Sequence, residues 1–105
     1  MATLTTYVVE LTPEVLKSRK FRDANPQGAD KECLYVGSTA HSAEHRFAQH
    51  MAGEKSNRGW VTKYGTQLRQ DLASDDTYAT RKEAEDAEAA LAAHLRSLGY
   101  QVWQR

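Results

Sequence analysis

Residues 3–11 read TLTTYVVEL and residues 32–37 read ECLYVG. In the first, Tyr7, Val9 and Leu11 alternate with Thr6, Val8 and Glu10, the period of two that sends successive side chains to opposite faces of a strand. The second is short, aromatic and β-branched, and stops at Gly37. Together they predict an N-terminal hairpin with an enlarged loop. The connection, residues 12–31, holds both prolines, Pro13 and Pro26, and Gly28, which interrupt regular structure; residues 13–21, PEVLKSRKF, have room for one helical turn. Twenty residues is long for a connection in a compact domain and marks this one as functional or mobile.

Beyond the hairpin, Ser42 reads as the N-cap of a helix over residues 43–51, with Gly53 as its stop. Ala43, Phe47 and Met51 share one face of that helix, and Arg46 and His50, four apart, share another. Residues 54–66 are polar with two aromatics, Trp60 and Tyr64, and predict a short helical turn over 60–64. Residues 66–72, TQLRQDL, predict a weak strand, and Asp75 and Asp76 a turn. Thr80 and Glu83 form a capping box opening a helix over 81–98, which Gly99 closes. A final strand is expected over 100–103. The predicted fold is a single α/β (α+β) domain over residues 1–105, a small three- to four-stranded mixed or antiparallel sheet flanked by helices.

The chain has 105 residues, with 14 basic and 14 acidic side chains. A strongly basic nucleic-acid binder would carry a surplus. The charge is uneven, however: residues 1–69 hold ten basic and seven acidic side chains, and residues 70–105 four and seven. The densest basic run is Lys17, Arg19, Lys20 and Arg22. No apolar run approaches the roughly 20 residues that span a bilayer, and no basic stretch followed by an apolar core marks a leader. The single cysteine, Cys33, excludes an internal disulfide and a cysteine-based zinc cluster. A cytoplasmic protein with no membrane contact is expected.

The helix over 81–98 carries apolar residues at Ala84, Ala87, Leu91, Leu95 and Leu98, the stripe that faces a core. Glu88 falls on that stripe, whereas Glu83, Glu85 and Asp86 point to solvent. A carboxylate on an apolar face is costly unless paired or metal-bound. It either sits at the stripe's edge against an arginine, or serves as a metal ligand or catalytic carboxylate. Hard ions such as Mg2+ use one or two carboxylates, completing their shell with water and phosphate oxygens.

In order along the chain stand Thr5-Thr6-Tyr7, Tyr35-Val36-Gly37 followed by Ser38-Thr39, Arg46 with His50 one turn later, and Ala84 with Glu88 one turn later. This arrangement resembles the GIY-YIG nuclease family, named for two tripeptides on adjacent strands. The resemblance covers roughly residues 5–102. It departs from the family in several places. The glycine and isoleucine of the first tripeptide are replaced by Thr5 and Thr6. The tyrosines stand 28 apart, wider than usual, with the excess in residues 12–31. Arg46 lies one residue further from the glycine, Ser38 stands where repair-type members often have lysine, and the family's terminal asparagine corresponds at best to Gln101.

The resemblance implies a DNA endonuclease hydrolysing phosphodiester bonds with Mg2+ or Mn2+. It implies Glu88 as the metal ligand, Arg46 on the scissile phosphate, Tyr7 or Tyr35 positioning or deprotonating the water, and His50 relaying a proton or orienting the phosphate. With no recognition domain attached, structure-selective or weakly sequence-specific cutting is expected, with a protein partner or self-association supplying further specificity. Each residue also has a plainer explanation. Tyr7 and Tyr35 fit a cross-strand aromatic pair, His50 a helix-end charge, Arg46 a partner for Glu44. The candidate DNA contacts are Lys17, Arg19, Lys20, Arg22, Ser38, Thr39, Lys55 and Arg58; as a solvated face the basic run needs no ligand. Trp60 and Tyr64 either stack on bases or, in the case of Trp60, pack over the first helix. The alternative function is a catalytically degenerate module that binds nucleic acid or a protein without cutting.

Overall fold

The computed structural model describes residues 3–25, 31–40, 42–51, 60–73 and 76–104. Strand β1, Leu4–Leu11, pairs antiparallel with β2, Cys33–Thr39, with Tyr7 opposite Gly37 and Thr6 opposite Ser38. On the other side of β1 lies β3, Gly65–Leu68, also antiparallel, with a register shift at Glu10/Leu11. The short β4, Thr77–Tyr78, extends that edge against Leu4 and Thr5. Strand β5, Gln101–Gln104, runs parallel to β2, so the sheet is mixed, in the order β3-β1-β2-β5 with β4 beside β1.

Helices α2, Ala43–Met51, and α4, Arg81–Ser97, start where their caps place them. The long connection contains a 3-10 turn over Pro13–Lys17 and a short helix, α1, Arg19–Asp23; α3 spans Trp60–Tyr64. Strand alternation sorts the core into two. On one face Tyr7, Val9, Leu11, Cys33 and Tyr35 pack with Val15, Phe21, Ala43 and Val61, so that α1, α2 and α3 cover it. On the other, Val8, Leu34, Val36 and Val102 pack with Ala92 and Leu95 of α4.

The architecture is the expected α+β sheet flanked by helices, with four local differences. The sheet has five strands, because Thr77–Tyr78 meets the free start of β1. The segment 66–72 divides: β3 ends at Leu68, and Gln70–Leu72 is a 3-10 turn. There Arg69 bridges Glu10 at 2.9 Å and Asp71 at 3.1 Å, which holds the Asp71 carboxyl below its ordinary range. Strand β2 runs past Gly37 to Thr39, because Ser38 and Thr39 continue the ladder opposite Thr6 and Thr5 of β1; at Gly37 the Tyr7 ring fills the space a side chain would occupy. Finally, the buried line on α4 is Ala84, Glu88, Ala92 and Leu95, while Ala87 and Leu91 are half-buried and Leu98 is 44% exposed. Leu98 caps the helix beside Gly99, whose φ of 104° turns the chain into β5. The expected stop at Gly53 lies outside the described residues.

The outer edge of β5 is closed by side chains. Asn25 Oδ1 accepts from Val102 N–H at 2.7 Å and from Arg96 Nε at 3.1 Å, and Arg96 Nη2 donates to the Val102 carbonyl at 2.8 Å. Asn25 Nδ2 in turn donates to the Phe21 carbonyl at 2.9 Å. An edge strand is a template for unwanted pairing; here the long connection and α4 cover it together. No helix among the described residues is long and apolar enough to cross a membrane.

Candidate active site

The capping box sets the start of α4. Thr80 Oγ1 accepts from Glu83 N–H at 3.1 Å, and Glu83 Oε1 accepts from Thr80 N–H at 3.2 Å. From that start, Ala84, Glu88, Ala92 and Leu95 fall one turn apart against the sheet. Glu88 is therefore central in the buried line and not at its edge: it is 1% exposed. The Ser38 hydroxyl donates to Glu88 Oε2 in a short hydrogen bond. The sequence separation is 50 residues, so α4 and β2 meet here by tertiary packing alone.

Thr6 faces Ser38 across the β1–β2 ladder, on the same side of the sheet. Directly opposed side chains of an antiparallel pair start about 5 Å apart at Cβ. Thr6 is 1% exposed, and its hydroxyl finds no hydrogen-bond partner among the described residues. Thr6 and Ser38 thus share the face of the sheet that α4 covers, and Ser38 meets Glu88 there. No group of three or more His, Cys, Asp or Glu side chains suited to a metal occurs among the described residues. The donors at Glu88 are instead hard oxygens, the kind Mg2+ and Mn2+ take. With one carboxylate, an ion there would fill its remaining positions with water and phosphate oxygens.

The tyrosines lie on the opposite face. Tyr7 and Tyr35 are both buried, with ring centroids 6.2 Å apart and a 38° tilt. A Cβ at Gly37 would stand 2.7 Å from the Tyr7 hydroxyl oxygen. The Tyr7 hydroxyl therefore rests on the bare backbone of Gly37, one residue before Ser38. Strand alternation puts the aromatic pair and the Ser38–Glu88 pair on opposite faces of β2. Arg46, half-buried on α2, belongs to the tyrosine side and donates from Nη1 to Gln49 Oε1 at 3.3 Å. Thr39 is buried in β2 on the face of Gly37. His50 lies in α2, but its side chain, like all of Lys55 and Arg58, is outside the described residues.

The basic run is spread over two short elements. Lys17 ends the 3-10 turn and is exposed; Arg19 pairs with Asp23 at 3.6 Å, both largely exposed. Lys20 lies over the Trp103 ring at 5.6 Å, and Arg22 is exposed. Tyr64 is half-buried against the tyrosine-side core, with Lys63 over its ring; the Trp60 side chain is outside the described residues. Gln101 does not reach the site. It pairs with Cys33, five residues before Ser38, about 17 Å away along a strand. Gln104 pairs with Val36 and so lies on the Ser38 face, two residues short of it.

Sequence reasoning overlooked Thr6 and Gln104. The signal for Thr6 was a polar residue at an inward position of β1 once Val8 is assigned to the α4 face. Gln104 carried no such signal, because its place depends on the parallel pairing of β5. Cys33 is buried, and burial pushes its thiol pKa up, so it is a small packed hydrophobe. Comparisons with protein-family models, with curated proteins and with solved structures returned no match.

Proposed function

We propose that this chain is a metal-dependent endonuclease of the GIY-YIG type, which hydrolyses DNA phosphodiester bonds in the cytoplasm. The observation that carries the reading is Glu88. It is a buried carboxylate in the middle of an apolar helix line, hydrogen-bonded to the serine that directly follows Tyr35-Val36-Gly37. A carboxylate taken out of water has to be compensated, and a hydroxyl-rich surround suits a hard cation better than a core.

Hydrolysis joins a water oxygen to phosphorus, breaks the bond to one sugar oxygen, and moves a proton from the water to that leaving oxygen. When bound, Mg2+ or Mn2+ neutralises charge developing on the phosphate and lowers the pKa of water. Glu88 would hold the ion, and Ser38 would fix the carboxylate's orientation through its hydrogen bond. Arg46 would present a planar fork to two phosphate oxygens. Tyr7 or Tyr35, on the opposite face of β2 from Glu88, would accept or orient the water's proton from across the end of that strand; because a free tyrosine has a pKa of about 10, a neighbouring cation must lower it. His50, four residues after Arg46, would return a proton to the leaving oxygen. Structure-selective or weakly sequence-specific cutting is the expected behaviour, with a partner protein or a second copy adding specificity.

A second reading, a module that binds nucleic acid without cutting, draws on the burial of Tyr7 and Tyr35 in the apolar cluster. One experiment separates the two. The wild type and Glu88→Ala are incubated with plain, nicked, flapped and branched DNA, with Mg2+, with Mn2+ and with EDTA. Metal-dependent cleavage that falls at least about a hundredfold in Glu88→Ala supports the nuclease. Equal, salt-sensitive binding by both proteins with no cleavage supports the binding module.

A further inference from the structure

We infer that the exposed side of the β1–β2 connection, with Lys17, Lys20 and Arg22, is a docking surface for the phosphate backbone of DNA. The inference rests on the reading of this chain as one that acts on DNA. It concerns a segment for which the family resemblance does not account. The inner side of that segment is apolar: Val15 of the 3-10 turn and Phe21 of α1 are buried in the same cluster as Tyr7 and Tyr35. Both ends are fastened. Thr12 N–H donates to the Tyr64 carbonyl of α3 at 2.9 Å, and Asn25 Oδ1 accepts from Val102 N–H of β5 at 2.7 Å. The connection therefore crosses the tyrosine face from the α3 side to the β5 edge. Its exposed side chains stand on a fixed scaffold, which lowers the ordering cost of a contact.

The exposed side is basic. Residues 13–23 hold four basic side chains against two acidic, and Lys17, Arg19, Lys20 and Arg22 are all exposed. Packing and edge protection explain Val15, Phe21 and Asn25; they do not explain the sign of the charge outside. Lys20 lies over the Trp103 ring at 5.6 Å, which holds its ammonium above β5. Arg19 meets Asp23, but the two side chains are 87% and 70% exposed, and a pair so open competes poorly with a phosphate. The opposite layer has the other sign. Of the exposed residues that open α4, Arg81 and Lys82 are basic against Glu83, Glu85 and Asp86, and Lys82 is tied to Asp86 at 3.0 Å. Duplex DNA carries one negative charge per roughly 1.7 Å of its axis. It is drawn to the side of the connection, which is also the side of Tyr7, Tyr35 and Arg46, and repelled at α4.

The test is binding of the full chain to a fluorescein-labelled plain DNA duplex, read by fluorescence anisotropy in EDTA over a salt series, so that no cleavage intervenes. Lys17→Ala/Lys20→Ala/Arg22→Ala should bind at least about tenfold more weakly at low salt. Its slope of log affinity against log salt should flatten by about 2–3, and that of Lys17→Ala or Arg22→Ala alone by about 1. Asp23→Asn, which frees Arg19, should bind more tightly than wild type. Arg81→Ala/Lys82→Ala on α4 should keep the wild-type affinity and slope. All of these side chains are exposed, so the variants should melt with the wild type; if the triple variant does not, the single variants decide. A triple or single variants with wild-type affinity and slope, or an equal loss in the α4 variant, overturn the docking surface and leave DNA binding standing. Wild type with no salt-sensitive DNA binding removes both the surface and the reading on which it rests.

Discussion

Gly37→Ala is the sharpest test of how the two halves of the site are held. Gly37 is not in a left-handed conformation; Gly99 alone has a positive φ among the described glycines. Its requirement is steric. A methyl group there would stand 2.7 Å from the Tyr7 hydroxyl oxygen, 2.8 Å from Cζ and 3.0 Å from Cε1. The Tyr7 ring cannot swing away, because it is fully buried and packed against Tyr35. Overpacking of this kind costs about 1–3 kcal/mol. For a domain near 100 residues each kcal/mol lowers the melting midpoint by about 4–8 °C, so the expected fall is roughly 4–24 °C. The assay is thermal denaturation followed by circular dichroism, for Gly37→Ala in the wild-type and in a Tyr7→Leu background. With the ring removed, the same alanine should cost less than about 0.5 kcal/mol. A midpoint unchanged from wild type, or an equal loss in both backgrounds, refutes the steric account.

Three further outcomes are expected. Asn25→Ala should cost about 1–3 kcal/mol in denaturant unfolding, because Val102 N–H and Arg96 lose their shared acceptor; an unchanged midpoint would show that water replaces Asn25 at the β5 edge. Thr80→Ala should cost about 1 kcal/mol through loss of the α4 cap, measured in the same way, and a loss below about 0.3 kcal/mol would argue against the capping box. Burial raises the pKa of Cys33 in the folded state, so its contribution to stability is whole below the unfolded thiol pKa, about 8.5, and declines as pH rises through the higher folded value. The unfolding midpoint should therefore drop in alkaline buffer, less so in Cys33→Ala, and native Cys33 should resist alkylation at pH 8; rapid native-state labelling would contradict its burial.

Some features of the molecule are local and were legible from the chain. Alternation in residues 3–11 identified β1, although it could not say which face would meet α4. Ser42, Thr80 with Glu83, and Gly99 marked helix ends through hydrogen bonds and dihedrals that involve only neighbouring residues, and the expected bounds of 43–51 matched α2. Glu88 stood out as the one carboxylate on an apolar stripe. The stripe itself was drawn too far along the helix: Leu98 lies past its end, where the chain is already turning at Gly99.

The sequence by itself determined the main elements, the α+β class and the place of Glu88 on an apolar stripe, since each follows from periodicity or capping within a few residues; that Glu88 lies at the centre of the buried line and not at its edge came from the packing of α4. Tertiary structure alone decided what those elements meet. The hydrogen bond from Ser38 to Glu88 joins residues 50 apart, and that from Val102 to Asn25 joins residues 77 apart. Parallel placement of β5 put Gln104, and not Gln101, on the Ser38 face. Strand parity put the tyrosines and the Ser38–Glu88 pair on opposite faces of β2, and only the paired register placed Thr6 opposite Ser38 on the α4 face. A register shift of one residue would exchange the two faces, and nothing local to β1 or β2 sets that register; it is set by which packing buries the apolar residues of both faces at once.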